Sequence, residues 1–313
     1  MYFPVANIEV TPLVPPLIAF TISFFTSMGG VSGAFLLLPF QVSVLGFTSP
    51  AVSSTNQLFN IVAIPSGVYR YIKEGRMLWP LTWVVIIGTL PGVLLGAIVR
   101  IKYLPDPKNF KLFAGLVLLY MGGRLLKDLA FTKRNGDTPT TEERFHQRGK
   151  NQTQRTTSEA ASSRVIVHQW TPTRLVYEFY GEIFTVNAVG LMALSLVVGM
   201  VGGVYGIGGG AIIAPFLVSF FGLPVYTVAG AALMGTFVTS VAGVAFYQLL
   251  APHYPGMVIA PDWFLGFLFG IGGFAGMYCG ARLQKFVPAG FIKWILVVCL
   301  LFTAGTYIWS FFF

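Results

Sequence analysis

Residues 201–217 read VGGVYGIGGGAIIAPFL and lie inside an apolar run that extends over residues 184–221. A helix crosses the hydrocarbon core of a bilayer with about 20 residues, so this run is too long for one straight span. Its glycines weaken a helix and adopt backbone angles that other residues avoid. The sequence therefore predicts a helix that is interrupted at residues 206–210 and resumes beyond them.

A second interruption of the same kind lies in the first half of the chain, where residues 29–33 read GGVSG inside the apolar run 13–47. Aligning the two prolines that follow the glycines, Pro39 and Pro215, also matches Gly30 with Gly206, Gly33 with Gly209, Phe40 with Phe216, Val42 with Val218, Ser43 with Ser219 and Gly46 with Gly222. A later block matches Gly88, Gly92, Gly96 and Ala97 with Gly272, Gly276, Gly280 and Ala281. Glycine at every fourth position lets a second helix approach closely in lipid. The matches indicate an internal duplication, with Pro39 and Pro215 as equivalent structural hinges.

The composition shows which solvent the chain is built for. Hydrophobic residues make up 55% of the 313 positions and charged residues 10%, with a mean hydropathy of +0.74. Soluble domains carry about 25% charged residues, so we predict an all-α polytopic protein of the cell inner (plasma) membrane. Residues 14–25 lack the preceding basic residues of a signal peptide, and we expect them to be retained. The membrane elements correspond to eight apolar runs: 13–47, 50–72, 77–99, 109–130, 184–221, 225–250, 262–281 and 290–313.

Two membrane regions flank the only markedly polar stretch. We assign residues 1–130 to an N-terminal membrane repeat, 131–183 to a polar linker and 184–313 to a C-terminal membrane repeat. Few large apolar side chains occur in residues 131–160, which predicts a flexible segment. Residues 164–186 favour β-structure and contain a turn candidate at 171–173, which predicts a small β-hairpin. The linker is then either a plain connector or a docking site for a partner.

The distribution of charge predicts the orientation. The formal net charge is +9, but the basic residues begin at Arg70 and fall in loops between apolar runs, which indicates membrane anchoring rather than nucleic-acid binding. If each interrupted run forms a hairpin, each half crosses the membrane an odd number of times, so the halves are inverted and both termini are external. An even number of crossings would leave only a minority of the basic residues in the cytoplasm. The inverted arrangement makes the linker cytoplasmic and leaves four of the 20 basic residues outside: Arg100, Lys102, Lys108 and Lys111.

The two interruptions predict a shared internal site. In lipid, a broken helix is tolerated only against protein or a watery cavity, and paired breaks mark the binding sites of repeat transporters. The half-helices 34–44 and 211–220 would direct their positive N-terminal ends at an anion. A side chain at Gly209 is expected to fill that anion pocket.

Neutral polar residues in the next run of each half extend this site. The polar residues of these runs include Gln57 and Ser240, and the candidate binding residues as a whole are Gly30, Ser32, Gly33, Thr55, Asn56, Asn60, Gly206, Gly208, Gly209, Gly210, Thr236 and Thr239. The alternative is that the glycines only allow helices to pack and that the polar side chains only bond neighbouring helices.

The residues needed for other functions do not form recognisable motifs. The three histidines have no metal-ligand spacing, and Cys279 and Cys299 both lie in apolar runs, so neither a metal site nor a disulfide framework is predicted. The sequence contains no phosphate-binding loop or dinucleotide fingerprint, and we predict neither an enzyme nor a cofactor. We find no acidic residue or histidine clearly at mid-membrane depth, so the residues alone do not assign a coupling ion.

The quoted motif resembles the signature of the TauE/SafE sulfite exporter family. In the first half, the GGVSG stretch at 29–33 with Pro39, and Ser54-Thr55-Asn56 with Phe59-Asn60, is similar to the N-terminal counterpart. The likeness covers residues 13–130 and 184–310. It implies a bacterial or archaeal permease for sulfite, sulfonates or related anions, driven by an ion gradient. A transporter or channel for a carboxylate or an inorganic oxyanion is the alternative. The first break reads Val-Ser-Gly-Ala where the second reads Ile-Gly-Gly-Gly, so the two sides of the site are not expected to be equivalent.

Overall fold

The computed structural model describes residues 1–28, 32–73, 77–134, 166–171, 173–179, 182–223, 225–283 and 289–312. The first half contains the helices α1 (Val14–Met28), α2 (Ala34–Ser43), α3 (Ala51–Ala63), α4 (Pro65–Lys73), α5 (Trp79–Lys102) and α6 (Pro107–Arg134). The second half contains α7 (Ala188–Tyr205), α8 (Gly209–Phe220), α9 (Val225–Leu250), α10 (Trp263–Leu283) and α11 (Ala289–Phe312), with a 3-10 turn at Ala251–His253. These helices follow the eight apolar runs of the sequence.

Six of the described helical segments are long and apolar enough to cross a membrane, so the all-α polytopic prediction is confirmed. They are Trp79–Lys102, Pro107–Lys127, Ala188–Tyr205, Thr227–His253, Trp263–Gly280 and Trp294–Phe312. Two shorter apolar helices, Val14–Ser27 and Ala34–Ser43, accompany them. The helix α6 continues to Arg134, four residues beyond the predicted end of its apolar run.

Both long apolar runs are divided into two helices. Gly206 ends α7 in the left-handed conformation with φ of 82°, and Gly208 follows with φ of 73°. L-residues with side chains are strained at such angles, which is why the second break requires glycine. In the first half, α1 ends at Met28 and α2 begins at Ala34. Residues 29–31, including the candidate residue Gly30, lie outside the described residues.

A small sheet precedes the second half. The strands β3 (Ile166–Trp170), β4 (Arg174–Phe179) and β5 (Glu182–Asn187) form an antiparallel sheet in that order, and β1 (Tyr2–Phe3) pairs with β2 (Ile8–Glu9) at the N-terminus. The predicted hairpin is therefore present and has a third strand. The predicted flexible segment lies, apart from the last residues of α6, outside the described residues.

The sheet is attached to the membrane helices. Leu175, Tyr177 and Val186 are fully buried, and the Tyr177 hydroxyl lies 3.1 Å from that of Thr227 on α9. Burial raises the pKa of Tyr177 to about 12, so this hydroxyl stays neutral at physiological pH. The strand β5 leads directly into α7, where the Asn187 side chain accepts a hydrogen bond from the amide of Gly190 at 3.1 Å. The sheet is thus continuous with the helix that leads to the second break.

Each half of the chain packs one of its helices against a helix of the other half. The helix α1 of the first half packs on α10 of the second, and α7 of the second half packs on α5 of the first. Both pairs run parallel, since Gly88, Gly92 and Gly96 face Met192, Leu196 and Met200, and Gly272, Gly276 and Gly280 face Pro16, Phe20 and Phe24. The pair α6 and α11 runs antiparallel, with Gly115 against Tyr307 and Gly122 against Leu301.

Glycines make these crossings possible. A Cβ added at Gly92 would collide with the carbonyl oxygen of Leu196, and one added at Gly199 with that of Thr89. A Cβ added at Gly276 would collide with the carbonyl oxygen of Phe20. The backbones therefore touch directly, and dispersion contacts that side chains would otherwise prevent stabilise the helix pairs.

We expect Gly92→Val to destabilise the protein by about 2 kcal/mol or more, because the backbone of α7 cannot move aside as a flexible side chain could. The measurement is the thermal unfolding midpoint of the purified protein in detergent. The matched control is Gly305→Val in α11, where an added Cβ meets nothing within 4 Å. Equal midpoints for the two variants would contradict the close α5–α7 crossing.

Candidate functional site

The two helix interruptions meet at one side chain of α3. The Nδ2 atom of Asn56 donates hydrogen bonds to the carbonyl oxygen of Ala34, at the start of α2, at 2.9 Å and to that of Gly206, at the end of α7, at 3.1 Å. The Oδ1 atom of Asn56 accepts a hydrogen bond from Nε2 of Gln41 at 3.2 Å. One fully buried amide thus ties the first break to the second.

A second amide, one helical turn further along α3, repeats this arrangement. The Nδ2 atom of Asn60 donates to the carbonyl oxygen of Ile207 in the second break at 3.1 Å, and its Oδ1 accepts from the Ser32 hydroxyl in the first break at 2.9 Å. The Ser32 Oγ in turn accepts a hydrogen bond from the amide of Ala34 at 3.3 Å. From α7, the Tyr205 hydroxyl donates to the carbonyl oxygen of Phe35 at 2.8 Å.

The helix α9 forms the other wall of the second break. The Thr239 Oγ1 accepts a hydrogen bond from the amide of Gly209 at 3.3 Å and donates to the carbonyl oxygen of Gly235 at 2.7 Å. A Cβ at Gly208 would lie 3.0 Å from Oγ of Ser240, which also lies 3.5 Å from Nδ2 of Asn60. The hydroxyls of α9 and the amides of α3 therefore face each other across the break.

The partial charges at the two breaks come from helix ends: α1 and α7 end there with their negative C-termini, and α2 and α8 begin there with their positive N-termini. The helices α2 and α8 both begin here, and each helix N-terminus carries the equivalent of about half a positive charge. Asp262 is the only acidic side chain buried in the described part of the chain, and it accepts a hydrogen bond from the amide of Leu265 in the first turn of α10 at 3.0 Å. This arrangement can bind an anion with neutral donors, and it offers no nucleophile or general base in the described residues.

Most of the predicted site residues are brought together at the two breaks. These are Ser32, Gly33, Asn56, Asn60, Gly206, Gly208, Gly209, Gly210, Thr236 and Thr239. Thr55 instead accepts a hydrogen bond from the amide of Asp262 at 2.9 Å and holds the start of α10. Among the predicted hinges, the carbonyl oxygen of Pro39 in α2 accepts a hydrogen bond from the Tyr307 hydroxyl at 3.3 Å, and Pro215 lies within α8.

The glycines of the second break lie against protein. An added Cβ at Gly209 would come within 2.7 Å of Cγ2 of Thr89 on α5, and one at Gly210 within 2.6 Å of Oγ1 of Thr236. A Cβ at Gly206 would meet the backbone of Ser53. A side chain at Gly209 would therefore displace α5 as well as any bound anion, so a bulky substitution there does not report on the anion alone.

The sequence did not predict three residues that contact the two breaks: Gln41, Tyr205 and Thr89. Each is an isolated polar side chain in an apolar helix, and a helix position alone does not say which neighbour it faces. Gln41 carried the clearest signal, since it is the only amide in the half-helix that begins at Ala34.

Comparison with known proteins agrees with this architecture. The chain matches no curated protein and no solved structure. The family model described as Sulfite exporter TauE/SafE matches residues 16–307, which include both breaks and all of the membrane helices except the first residues of α1 and the last of α11. The members of this family are transporters rather than enzymes, which confirms the expectation that the chain is not an enzyme. The chain is a multi-pass membrane protein that belongs to the TauE/SafE sulfite exporter family.

Proposed function

We propose that the chain is a secondary transporter of small sulfur-containing anions, such as sulfite or sulfonates, and that it binds them where α2 and α8 begin. The observation that carries the proposal is the meeting of two helix interruptions, one from each half, at Asn56 and Asn60. Two helix N-termini that converge inside a membrane protein form a ready-made site for an anion. The family match supports sulfur oxyanions as the substrate class.

The neutral character of the site suits transport. The positive dipole ends of two helices attract an anion. Hydroxyl and amide groups can donate hydrogen bonds to the anion or to neighbouring groups of the protein. Asn56, Asn60 and Thr239 already have protein partners, so an arriving anion exchanges bonds with them. Such exchange keeps binding reversible, as a transporter requires.

We further propose that the two membrane repeats, 1–130 and 184–313, are inverted with respect to each other. The equivalent helices α6 and α11 pack antiparallel, and so do α3–α4 and α9, with Gln57 against Gly243 and Gly67 against Leu233. Equivalent elements that pack antiparallel are expected of repeats related by an axis in the membrane plane. In such a protein the bound anion is exposed to one side and then the other by movement of one repeat against the other.

The inverted arrangement places both termini outside the cell and the linker 131–183 in the cytoplasm. It orients the basic loops so that most positive charge is cytoplasmic, as the distribution of Lys and Arg favours. The cell inner (plasma) membrane is the location that we propose, with a coupling ion as the second solute.

We expect Thr239→Val to lower sulfite flux about fivefold or more, because losing a hydrogen bond worth about 1 kcal/mol releases the amide of Gly209 and loosens the second break. The measurement is uptake of labelled sulfite into proteoliposomes under imposed ion gradients.

Thr82→Val provides the matched control for this experiment. Thr82 is also fully buried and also donates to the carbonyl oxygen four residues earlier, that of Leu78, at 2.9 Å, but it lies at the start of α5 away from the break. Flux that falls equally in both variants would argue against a site at the break. Ohmic currents without any dependence on a second ion would indicate a channel instead.

A protease site inserted into residues 135–160 is expected to be cut only from the cytoplasmic side in membrane vesicles, because the proposed topology makes the linker cytoplasmic. A second site after Gly256, in the exposed loop between α9 and α10, should show the reverse pattern. Gel analysis after protease treatment of right-side-out and inside-out vesicles makes the comparison. Cleavage of both sites from the same side would exclude the inverted arrangement.

A further inference from the structure

A buried guanidinium lies near the end of α5, away from the residues described so far. Arg100 is 0% exposed, although α5 ends only two residues later at Lys102. Its Nη1 donates to the carbonyl oxygen of Leu104, and its Cζ lies 3.9 Å from the ring centroid of Phe110. These two contacts fix both the position and the plane of the guanidinium.

Two further nitrogens of Arg100, Nε and Nη2, have no hydrogen-bond partner among the described residues. These two nitrogens lie on the same edge of the guanidinium, and that edge binds two oxygens of one oxyanion side by side. The contacts to Leu104 and Phe110 thus hold the group, while its bidentate edge is buried without a hydrogen-bond partner.

A structural role alone does not account for this residue. Burying a charge without a counter-charge is strongly unfavourable. Within the described residues no acidic side chain forms an ion pair with Arg100, and the pair of His168 with Glu178 lies apart from it on the sheet. The hydrogen bond from Nη1 alone is enough to satisfy the carbonyl oxygen just beyond α5. An exposed basic side chain such as that of Lys102 would stabilise the C-terminal end of the helix dipole without the cost of burial.

Two further buried polar side chains, Tyr247 and Gln57, lie between the end of α5 and the second break. Tyr247 of α9 is fully buried and packs in one cluster with Ala97 and Ile101, which flank Arg100 on α5. Seven residues of α9, a rise of about 10 Å, separate Tyr247 from Ser240 beside the second break. Between them the Gln57 side chain packs against Gly243, and neither of its amide atoms has a hydrogen-bond partner in the part of the chain that the structure describes.

We propose that Arg100 binds the transported oxyanion through Nε and Nη2 on the external side of the helix breaks, and that the Gln57 amide is the contact between Arg100 and the breaks. The ligand class is a small anion with at least two oxygens on one centre, which sulfite and sulfonates both satisfy. This inference rests on the proposed function for its ligand, but it assigns residues outside the break. It also gives the route one full positive charge, which the break itself lacks.

The test is a titration of the purified full-length protein with sodium sulfite under anaerobic conditions, followed by isothermal calorimetry. Arg100→Gln is expected to weaken binding about tenfold to a hundredfold, as for the loss of hydrogen bonds to a charged group. Arg100→Lys keeps the charge but loses the bidentate edge, and its affinity should lie between those of the wild type and Arg100→Gln. Lys102→Gln is the matched control, since it removes an exposed charge two residues away and should change affinity by no more than about twofold.

The thermal unfolding midpoint without ligand shows whether a variant that binds sulfite more weakly is also less stable. Arg100→Gln should unfold at the wild-type temperature or above it, because the variant removes an uncompensated buried charge. Gln57→Met, of similar length, should weaken sulfite binding while Arg100 is intact.

Three outcomes would overturn the inference. Wild-type affinity in a folded Arg100→Gln protein would exclude Arg100 as a ligand. Wild-type affinity in both Arg100→Lys and Gln57→Met would exclude the proposed route even if Arg100→Gln did not fold. A wild-type protein that binds none of sulfite, sulfate and a sulfonate would overturn the proposed function together with this inference.

Discussion

Backbone groups that leave a helix inside a bilayer must find partners within the protein, and the rest of this structure depends on how that requirement is met. Asn56 and Asn60 of α3 donate to the carbonyl oxygens that the breaks leave exposed, and each amide reaches both halves of the chain. A buried carbonyl without a donor costs about 1–3 kcal/mol. Because the same two side chains satisfy both breaks, the two interruptions are held together at one place.

The exchange of helices between the halves follows from the placement of glycine. A ladder of glycines on α5 admits α7, and the equivalent ladder on α10 admits α1. Each half therefore packs one of its helices into the other, and neither half could bury those faces alone. This explains why the glycines recur at four-residue spacing in both halves, and why most of them contribute to packing rather than to binding.

Much of the architecture could be predicted because hydropathy and glycine content determine where membrane helices lie and where they break. The direction of individual side chains could not. Thr55 and Asn56 are neighbours in sequence, but successive helix positions differ by about 100°, so one holds α10 and the other holds the breaks. Arg100 looked like an ordinary anchoring charge because it ends an apolar run. Its burial depends on Leu104 and Phe110, which follow α5 in the sequence and fold back against it.

A three-stranded sheet precedes α7 but only a two-stranded one precedes α1, and α3 is separated from α4 at Pro65 whereas α9 is one continuous helix. A perfectly symmetric pair of repeats would have inward-open and outward-open forms of equal free energy. The two halves of this chain differ in sequence and in their contacts, so if they are the inverted repeats proposed above, the two forms of a rocking carrier built from them would differ in free energy. Each 1.4 kcal/mol of that difference is about a tenfold bias in population. The empty carrier would then be open mainly towards one compartment. The solute concentration in that compartment would determine how often an anion binds.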